Sequence, residues 1–174
     1  ASELEVWRGT EEGLDAVLVN PGVILGEGFY NSGSGTFFKQ IKKGLRYNVP
    51  GASGFVDVQD VVRALMQLMQ SSIKNERYIL VGDNLKFKDF FQKIAETFGV
   101  QPPSKMLKKW QLELAWRLDW LAGLFGKKRK LFRNTARSAY SKSVYSSAKL
   151  KEELNFEYTP LSETLNRVAR HFNR

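Results

Sequence analysis

The sequence predicts an α/β fold that is mostly helical and contains a few short strands. Residues 16–19 form a short apolar run rich in β-branched residues, as in a strand buried on both faces of a parallel sheet. Residues 77–82 form another apolar strand, and apolar residues recur at helical spacing over 87–98. Strands that alternate with helices in this way place the chain in the α/β class.

The composition restricts the class of protein further. A chain of 174 residues with 43% hydrophobic residues can form one unit with a sizeable core. Because it has no cysteine, it can form neither a disulfide nor a thiolate metal site, and a cytoplasmic protein is predicted. No apolar stretch approaches the ~20 residues of a membrane-spanning helix.

The formal net charge of +9 raises the question of an anionic partner. The basic residues fall into groups at 39–46, 105–109 and 127–133, and no nucleic-acid-binding motif accompanies them. This distribution argues against nucleic acid. It fits a solvated positive face or the attraction of a phosphorylated or carboxylated small-molecule substrate.

The first elements are a helix over residues 2–12 and the strand over 16–19, which Asn20, Pro21 and Gly22 are predicted to stop in a sharp turn. Ligands of open α/β sheets bind at the carboxyl ends of the strands, so this turn is the first candidate site. The residues alone favour a plain strand-ending Pro-Gly turn over a binding site.

The loop over residues 27–35 is rich in Gly, Ser and Asn, so its backbone can approach a ligand closely. Phe29, Tyr30, Asn31 and Ser32 could stack on a substrate and hydrogen-bond to it. A flexible linker is the alternative. A short helix is predicted over residues 36–44.

Asp57 and Asp60 precede a helical pattern and are interpreted as helix-capping acids rather than catalytic ones. No histidine lies near them, and the one histidine of the chain, His171, lies close to its end. The apolar stripe of this helix is predicted to comprise Val61, Leu65, Leu68 and Met69.

The second half begins with the strand over 77–82, which is predicted to end in a turn at 82–84, followed by a helix over 87–98 that Gly99 terminates. Residues 110–125 carry three tryptophans, with charges that argue against a membrane span. This segment fits an interfacial helix with a basic flank, a lid over an apolar substrate, or a core helix. Further helices are predicted from Asn134 and over residues 162–172.

Four segments resemble the extended short-chain dehydrogenase/reductase family, which includes nucleotide-sugar epimerases, dehydratases and dihydroflavonol-reductase-like enzymes. Residues 20–26 resemble its NPG-x-x-x-G segment, residues 56–62 its VDV-x-DVA segment, and residues 77–82 its strand that precedes a helix. Residues 146–161 resemble its terminal segment, with Asn155 where glycine is usual. Asparagine also tolerates the left-handed conformation that ends a helix.

The resemblance implies the C-terminal, substrate-binding part of a Rossmann-like NAD(P)-dependent epimerase/dehydratase or reductase. The family's catalytic Tyr-x-x-x-Lys pair and its glycine-rich dinucleotide loop would lie upstream of Ala1. The chain is therefore expected to hold no catalytic residue and to be inactive by itself. Residues 1–26 and 54–82 would belong to the Rossmann-like sheet layer, and residues 27–53 and 83–174 to the substrate-binding part.

The resemblance also implies a set of site residues and partners. Asn20, Pro21, Gly22 and Val23 would contact the NAD or NADP, and Phe29, Tyr30, Asn31, Ser32 and Arg137 would contact the substrate. No metal site is expected. The expected partners are the missing half of the same chain, a small-molecule substrate and, through unpaired sheet edges, a second copy. The alternative function is a non-catalytic module that binds a membrane surface through residues 110–130.

Overall fold

The structure is a computed structural model, and it describes residues 2–108, 110–111, 113–114, 117 and 139–172. Its helices are α1 (Ser2–Glu11), α2 (Gly35–Lys42), α3 (Val58–Gln70), α4 (Phe87–Phe98), α5 (Ala148–Leu154) and α6 (Leu161–Phe172). Its strands are β1 (Val17–Pro21), β2 (Val23–Leu25), β3 (Tyr47–Asn48), β4 (Ala52–Asp57), β5 (Glu76–Leu80), β6 (Asp83–Lys86) and β7 (Lys105–Met106). This arrangement confirms the predicted α/β class with short strands.

The strands pair in three small sheets. β1 lies parallel to β5, and β3 lies parallel to β7. β4 lies between β2, which runs parallel to it, and β6, which runs antiparallel. The chain passes from the first of these sheets to the β2-β4-β6 sheet at two glycines, Gly22 between β1 and β2 and Gly82 between β5 and β6.

β4 is buried on both faces and separates two hydrophobic clusters. Phe55 packs into one cluster, where its ring stacks on Phe90 at a centroid distance of 4.0 Å, and the next residue, Val56, packs into the other. This division follows from the two-residue period of a strand. The first cluster joins α2, α4 and α6 to the sheet, and the second joins α3 and α5 to β1 and β5.

Two helix ends confirm the predicted capping residues. α4 has the predicted bounds and ends at Gly99, which has a left-handed φ of 64°. α5 ends at Asn155, which also adopts a left-handed conformation, with φ of 49°. Asparagine therefore takes the conformation for which glycine is usual at this position.

Several predicted details are wrong. Asn20 and Pro21 belong to β1, and Asp83 and Asn84 start β6, so only Gly22 and Gly82 of the two predicted turns form a bend. Both differences have one cause: a second sheet supplies new strand partners directly beyond Gly22 and Gly82.

The apolar stripe of α3 also differs from the prediction. Ala64 is buried beside Val61 and Leu68, whereas Leu65 is 39% and Met69 is 83% exposed. α3 therefore carries a second apolar face that no described residue covers.

Two predicted helices fall wholly or partly outside the described residues. Most of 110–125 and all of 134–138 lie outside them, and residues 139–145 are not helical. Among the described residues, no helix combines the length and apolar character needed to cross a lipid bilayer.

Candidate functional site

The candidate site lies where β1 and β5 end and β2 begins. Asn20 and Pro21 pair with Ile79 and Leu80 of β5, and the amide of Gly22 donates to the carbonyl of Leu80 at 3.0 Å. Proline lacks an amide proton, so Pro21 fits a strand that, in the described part of the chain, has a neighbour on one side only.

Two glycines allow the strands to approach closely at this junction. A Cβ atom on Gly22 would lie 2.5 Å from the carbonyl oxygen of Gly54, and one on Gly54 would lie 2.6 Å from Cγ2 of Val81. Neither position has room for a side chain. Glycine at these two positions therefore allows β1, β4 and the residue after β5 to pack directly against one another.

An open cavity of about 430 Å³ lies at the junction, within the usual size range of ligand pockets. The structure brings together in its wall all four residues predicted to contact the cofactor: Asn20, Pro21, Gly22 and Val23. Five residues that the sequence did not single out complete the lining: Ser53, Arg77, Ile79, Val81 and Tyr145. They come from three separate segments, and no local pattern marks them as neighbours of the first four.

Glu3 of α1 links two of the lining residues. Its Oε1 accepts a hydrogen bond from the carboxamide of Asn20 at 2.7 Å, and its Oε2 lies 3.8 Å from Nη1 of Arg77. The hydrogen bond fixes the direction of the Asn20 side chain. Because Glu3 and Arg77 are 40% and 52% exposed, their ion pair contributes little to stability.

The loop over residues 27–35 lies against α6 rather than in the wall of this cavity. The hydroxyl of Tyr30 donates to the carbonyl of Val168 at 3.0 Å, and its ring packs edge-on against Phe172 at 4.5 Å. Burial raises the pKa of Tyr30. This predicted substrate residue thus anchors the loop to the helix.

The other predicted substrate residues differ in their surroundings. Phe29 is 77% exposed, the side chain of Asn31 accepts a hydrogen bond from Lys39, and the amide of Ser32 donates to the carbonyl of Phe29 at 3.4 Å. None of these side chains lines the cavity at the β1–β2 junction. Arg137 lies outside the described residues.

Asp57 caps α3, as predicted, and it also holds α6. One of its oxygens accepts from the amide of Gln59 at 2.8 Å, and the other accepts from the hydroxyl of Thr164 at 2.6 Å. Nη2 of Arg167 lies 2.6 Å from both oxygens. No sequence pattern indicates this contact, because Arg167 follows Asp57 by 110 residues.

Arg167 extends this network to the loop. Its Nε lies 3.3 Å from Oε2 of Glu27, the first residue of that loop. Burial lowers the pKa of Arg167, but the hydrogen bond and charge of Asp57, with those of Glu27, raise it above its ordinary value. The guanidinium therefore stays charged and joins β4, α6 and the loop.

Asp60, the second acid of the pair, is buried and binds the segment before α6. It accepts hydrogen bonds from the amide and hydroxyl of Thr159 at 2.8 and 2.7 Å, and it pairs with Arg63. Both acids are therefore structural. Nowhere in the described ranges do three or more potential metal-binding side chains converge.

Comparison with known proteins shows which proteins the chain is similar to. No protein-family model matches it. It is 34% identical to sterol demethylase protein B of Methylococcus capsulatus over 104 residues, which are 59% of this chain and 32% of that protein.

Solved structures extend the similarity to almost the whole chain. A nucleoside-diphosphate-sugar epimerase from Pseudomonas aeruginosa is 26% identical and superimposes with a TM-score of 0.76 over 98% of this chain and 52% of the epimerase. The UDP-glucose 4-epimerase of Thermus thermophilus, a structure in complex with NAD, is 20% identical, with a TM-score of 0.64 over 99% of this chain and 50% of that enzyme.

The fold and the junction site define a partial Rossmann-like α/β protein. The solved structures that it matches are NAD-dependent epimerases and dehydratases of the extended short-chain dehydrogenase/reductase type, in agreement with the resemblance of its sequence segments. The chain spans about half the length of the solved structures that it matches and about a third of the curated relative.

Proposed function

We propose that the chain is the substrate-binding part of an NAD(P)-dependent oxidoreductase or epimerase/dehydratase, with its site at the β1–β2 junction. One observation carries the proposal: Asn20, Pro21, Gly22 and Val23 line a single cavity in a chain that is similar to an epimerase solved in complex with NAD. The open cavity of about 430 Å³ has room for the nicotinamide ring, and Val23, Ile79 and Val81 give it an apolar wall.

In this proposal the residues of the chain bind and orient, and the cofactor, when bound, supplies hydride transfer. Asn20, whose carboxamide Glu3 holds in place, offers a fixed polar group to the ligand. Val23 and Val81 give the cavity an apolar wall against which a ring can pack. The tyrosine and lysine that move protons in this family would come from the half that precedes α1.

The exposed apolar surface around β1 supports a second half as the partner. Within the described residues β1 pairs with β5 alone, so one edge of β1 carries unpaired backbone groups that a further strand can pair with. Beside it, α3 exposes four apolar residues at helical spacing: Val62, Leu65, Met66 and Met69. Residues of α3 and β1 together line an open, mostly apolar cavity of about 310 Å³. We infer that the dinucleotide-binding half covers this surface.

A second candidate function is a non-catalytic module at a membrane surface. Trp110 and Leu114 are 62% and 47% exposed, and they follow the exposed basic residues Lys105 and Lys108. An amphipathic segment of this kind can meet anionic headgroups. Co-sedimentation with phosphatidylserine vesicles that falls as salt is raised would support this function, and no binding at low salt would exclude it.

Three measurements test the main proposal. An antibody to this chain should detect a protein of ~35 kDa in the source cells, the sum of this chain and a half of ordinary domain size. That protein should bind NADH or NADPH, whereas the 174-residue chain alone should bind neither tightly. A native mass equal to the 19.9 kDa of this chain, or tight binding by the chain alone, would contradict the proposal.

A matched pair of variants of the full-length protein locates the site. Val23→Phe places a larger side chain in the cavity and should raise the Kd for NAD(P)H or lower turnover by at least about tenfold, since small displacements of reacting groups are costly. Ile24→Phe changes the neighbouring residue, which does not line the cavity and is 37% exposed. Equal effects of the two substitutions would show that the site lies elsewhere.

A further inference from the structure

The pairing of β3 with β7 joins two parts of the chain that carry basic residues and no acidic ones. Residues 28–56 contain four basic residues and residues 97–112 contain three, and neither range contains an aspartate or a glutamate. In the structure Tyr47 lies opposite Lys105, and the amide of Lys105 donates to the carbonyl of Arg46 at 3.1 Å. Two acid-free segments, distant in the sequence, therefore meet at this strand pair.

The helices that precede the two strands end side by side. α2 ends at Lys42 and α4 ends at Phe98, and the ammonium of Lys42 lies 5.5 Å from the centre of the Phe98 ring. The basic residues that follow these helix ends are all exposed: Lys43, Arg46, Lys105 and Lys108. Their positive charge is therefore concentrated at one end of the molecule.

The same region exposes large apolar side chains. Tyr47, Met106 and Trp110 are 42%, 47% and 62% exposed. Asn48, by contrast, is buried, and its carboxamide donates to the carbonyl of Pro103 at 2.5 Å. Because successive residues of a strand point to opposite faces, the burial of Asn48 turns Tyr47 outward.

A turn after β7 holds the chain close to the strand pair. The amide of Gln111 donates to the carbonyl of Lys108 at 3.0 Å, and the side chain of Gln111 accepts from the amide of Lys108 at 2.8 Å. Trp110 lies within this turn. We call the exposed part of the region the basic-aromatic surface, and it comprises Arg46, Tyr47, Lys105, Met106, Lys108 and Trp110.

The charges of this surface are available to a partner. Within the described ranges, no carboxylate forms an ion pair with Arg46, Lys105 or Lys108. The ammonium of Lys105 lies 6.0 Å from the centre of the Tyr47 ring, so a basic group and an aromatic ring adjoin each other. The next acid along the chain, Glu113, lies 3.7 Å from Nη2 of Arg117.

We propose that the basic-aromatic surface docks the protein on an anionic lipid bilayer. Its basic side chains complement anionic headgroups, while tyrosine and tryptophan favour the boundary between headgroups and acyl chains. Met106 adds an aliphatic group, which fits a lipid but cannot stack on a nucleic-acid base. No residue of the surface lines the cavity at the β1–β2 junction. The inference thus goes beyond the proposed function, because it concerns where the protein works rather than what it catalyses.

Vesicle flotation of the full-length protein tests this docking. The probes are vesicles of phosphatidylcholine alone and of phosphatidylcholine mixed with phosphatidylserine. Binding to the mixed vesicles should be at least about tenfold tighter, since each basic residue near an anionic surface strengthens binding about fivefold. Raising the salt from about 0.1 to about 1 M shortens the screening length from about 10 to about 3 Å and should remove most of this difference.

Two kinds of substitution separate the charged contribution from the apolar one. Lys105→Gln and Lys108→Gln should each weaken binding to the mixed vesicles about fivefold at low salt and much less at high salt. Trp110→Ala should weaken binding about tenfold at either salt concentration, because salt does not screen apolar contact.

Lys151→Gln is the matched control. It removes the same charge from an exposed position on α5, which packs on β5 in the hydrophobic cluster on the other side of β4. Vesicle binding should stay within about twofold of that of the parent protein. All four substitutions change exposed side chains, so the urea midpoints of the variants should match that of the parent.

Each outcome decides the proposal. Weaker binding of the first three variants, with that of Lys151→Gln unchanged, supports it. No binding to mixed vesicles at low salt, or equal effects of all four substitutions, would overturn it. Tighter binding to a single-stranded oligonucleotide than to the vesicles would also overturn it, since the partner would then be a nucleic acid. Turnover with NAD(P)H in the absence of lipid tests the proposed function separately, and none of these substitutions should change it.

Discussion

Replacing Arg167 by methionine should destabilise the chain strongly. The carboxylate of Asp57 is fully buried and lies 2.6 Å from the Arg167 guanidinium, which is itself 20% exposed. Methionine fills part of the space of arginine but leaves Asp57 without its counter-charge. Breaking a buried pair in this way costs ~3–5 kcal/mol. Because Thr164 and the amide of Gln59 still donate to Asp57, we expect a loss of about 3 kcal/mol, near the lower limit.

Urea unfolding followed by circular dichroism at pH 7 measures this loss. With a urea dependence of ~1–3 kcal/mol per M, the Arg167→Met midpoint should fall by about 1–3 M. The urea midpoint of Arg167→Lys should lie between those of the parent chain and Arg167→Met, because lysine keeps the positive charge but not the forked geometry of the guanidinium. Arg8→Met is the matched control: its ion pair with Glu12 is 73% and 71% exposed, so its loss should be within about 0.5 kcal/mol. An Arg167→Met midpoint close to that of Arg8→Met would refute the reasoning.

Two further predictions concern the buried tyrosine of β5 and the glycine junction. Burial, and to a smaller extent the hydrogen bond to Glu153, raise the pKa of Tyr78 above its ordinary 10.0. The unfolded chain therefore loses this proton at a lower pH than the folded chain does. The free energy of unfolding consequently falls as the pH rises above about 10. Tyr78→Phe should make the free energy of unfolding, taken from urea titrations between pH 9 and 11, fall less steeply with pH, by up to ~1.4 kcal/mol per pH unit. A fall parallel to that of the parent chain would contradict this. Gly22→Ala forces a Cβ to 2.5 Å from the Gly54 carbonyl and should cost about 1–3 kcal/mol, whereas a Cβ at Gly82 meets its nearest atom at 3.5 Å. Equal urea midpoints for Gly22→Ala and Gly82→Ala would show that the junction is not tightly packed.

Local sequence signals determined the elements that depend on nearby residues. The helix over 87–98 has its predicted bounds because the apolar period and Gly99 both act within a few residues. Asp57 caps α3 because it lies directly before the free amides of that helix. Asn20, Pro21, Gly22 and Val23 lie together in one cavity partly because they are consecutive in the chain.

The features that the sequence did not reveal depend on contacts between distant segments. Asn20 and Pro21 remain in a strand because β5 pairs with them, and this pairing overrides the turn preference of the tripeptide. Tyr30 anchors its loop because Val168, 138 residues later, accepts its hydroxyl proton. Loop composition alone cannot distinguish that contact from one with a substrate.

The sequence by itself determined the α/β class and indicated the resemblance to epimerases and dehydratases and the candidate site, because those signals lie in short contiguous segments. Only the tertiary structure placed Tyr145 in the wall of the cavity and Arg167 on Asp57. It also exposed the apolar face of α3 beside an edge of β1 that lacks a partner in the described residues. Each of these features depends on contacts between segments that are far apart in the sequence, and no periodicity or motif within one segment predicts such a contact.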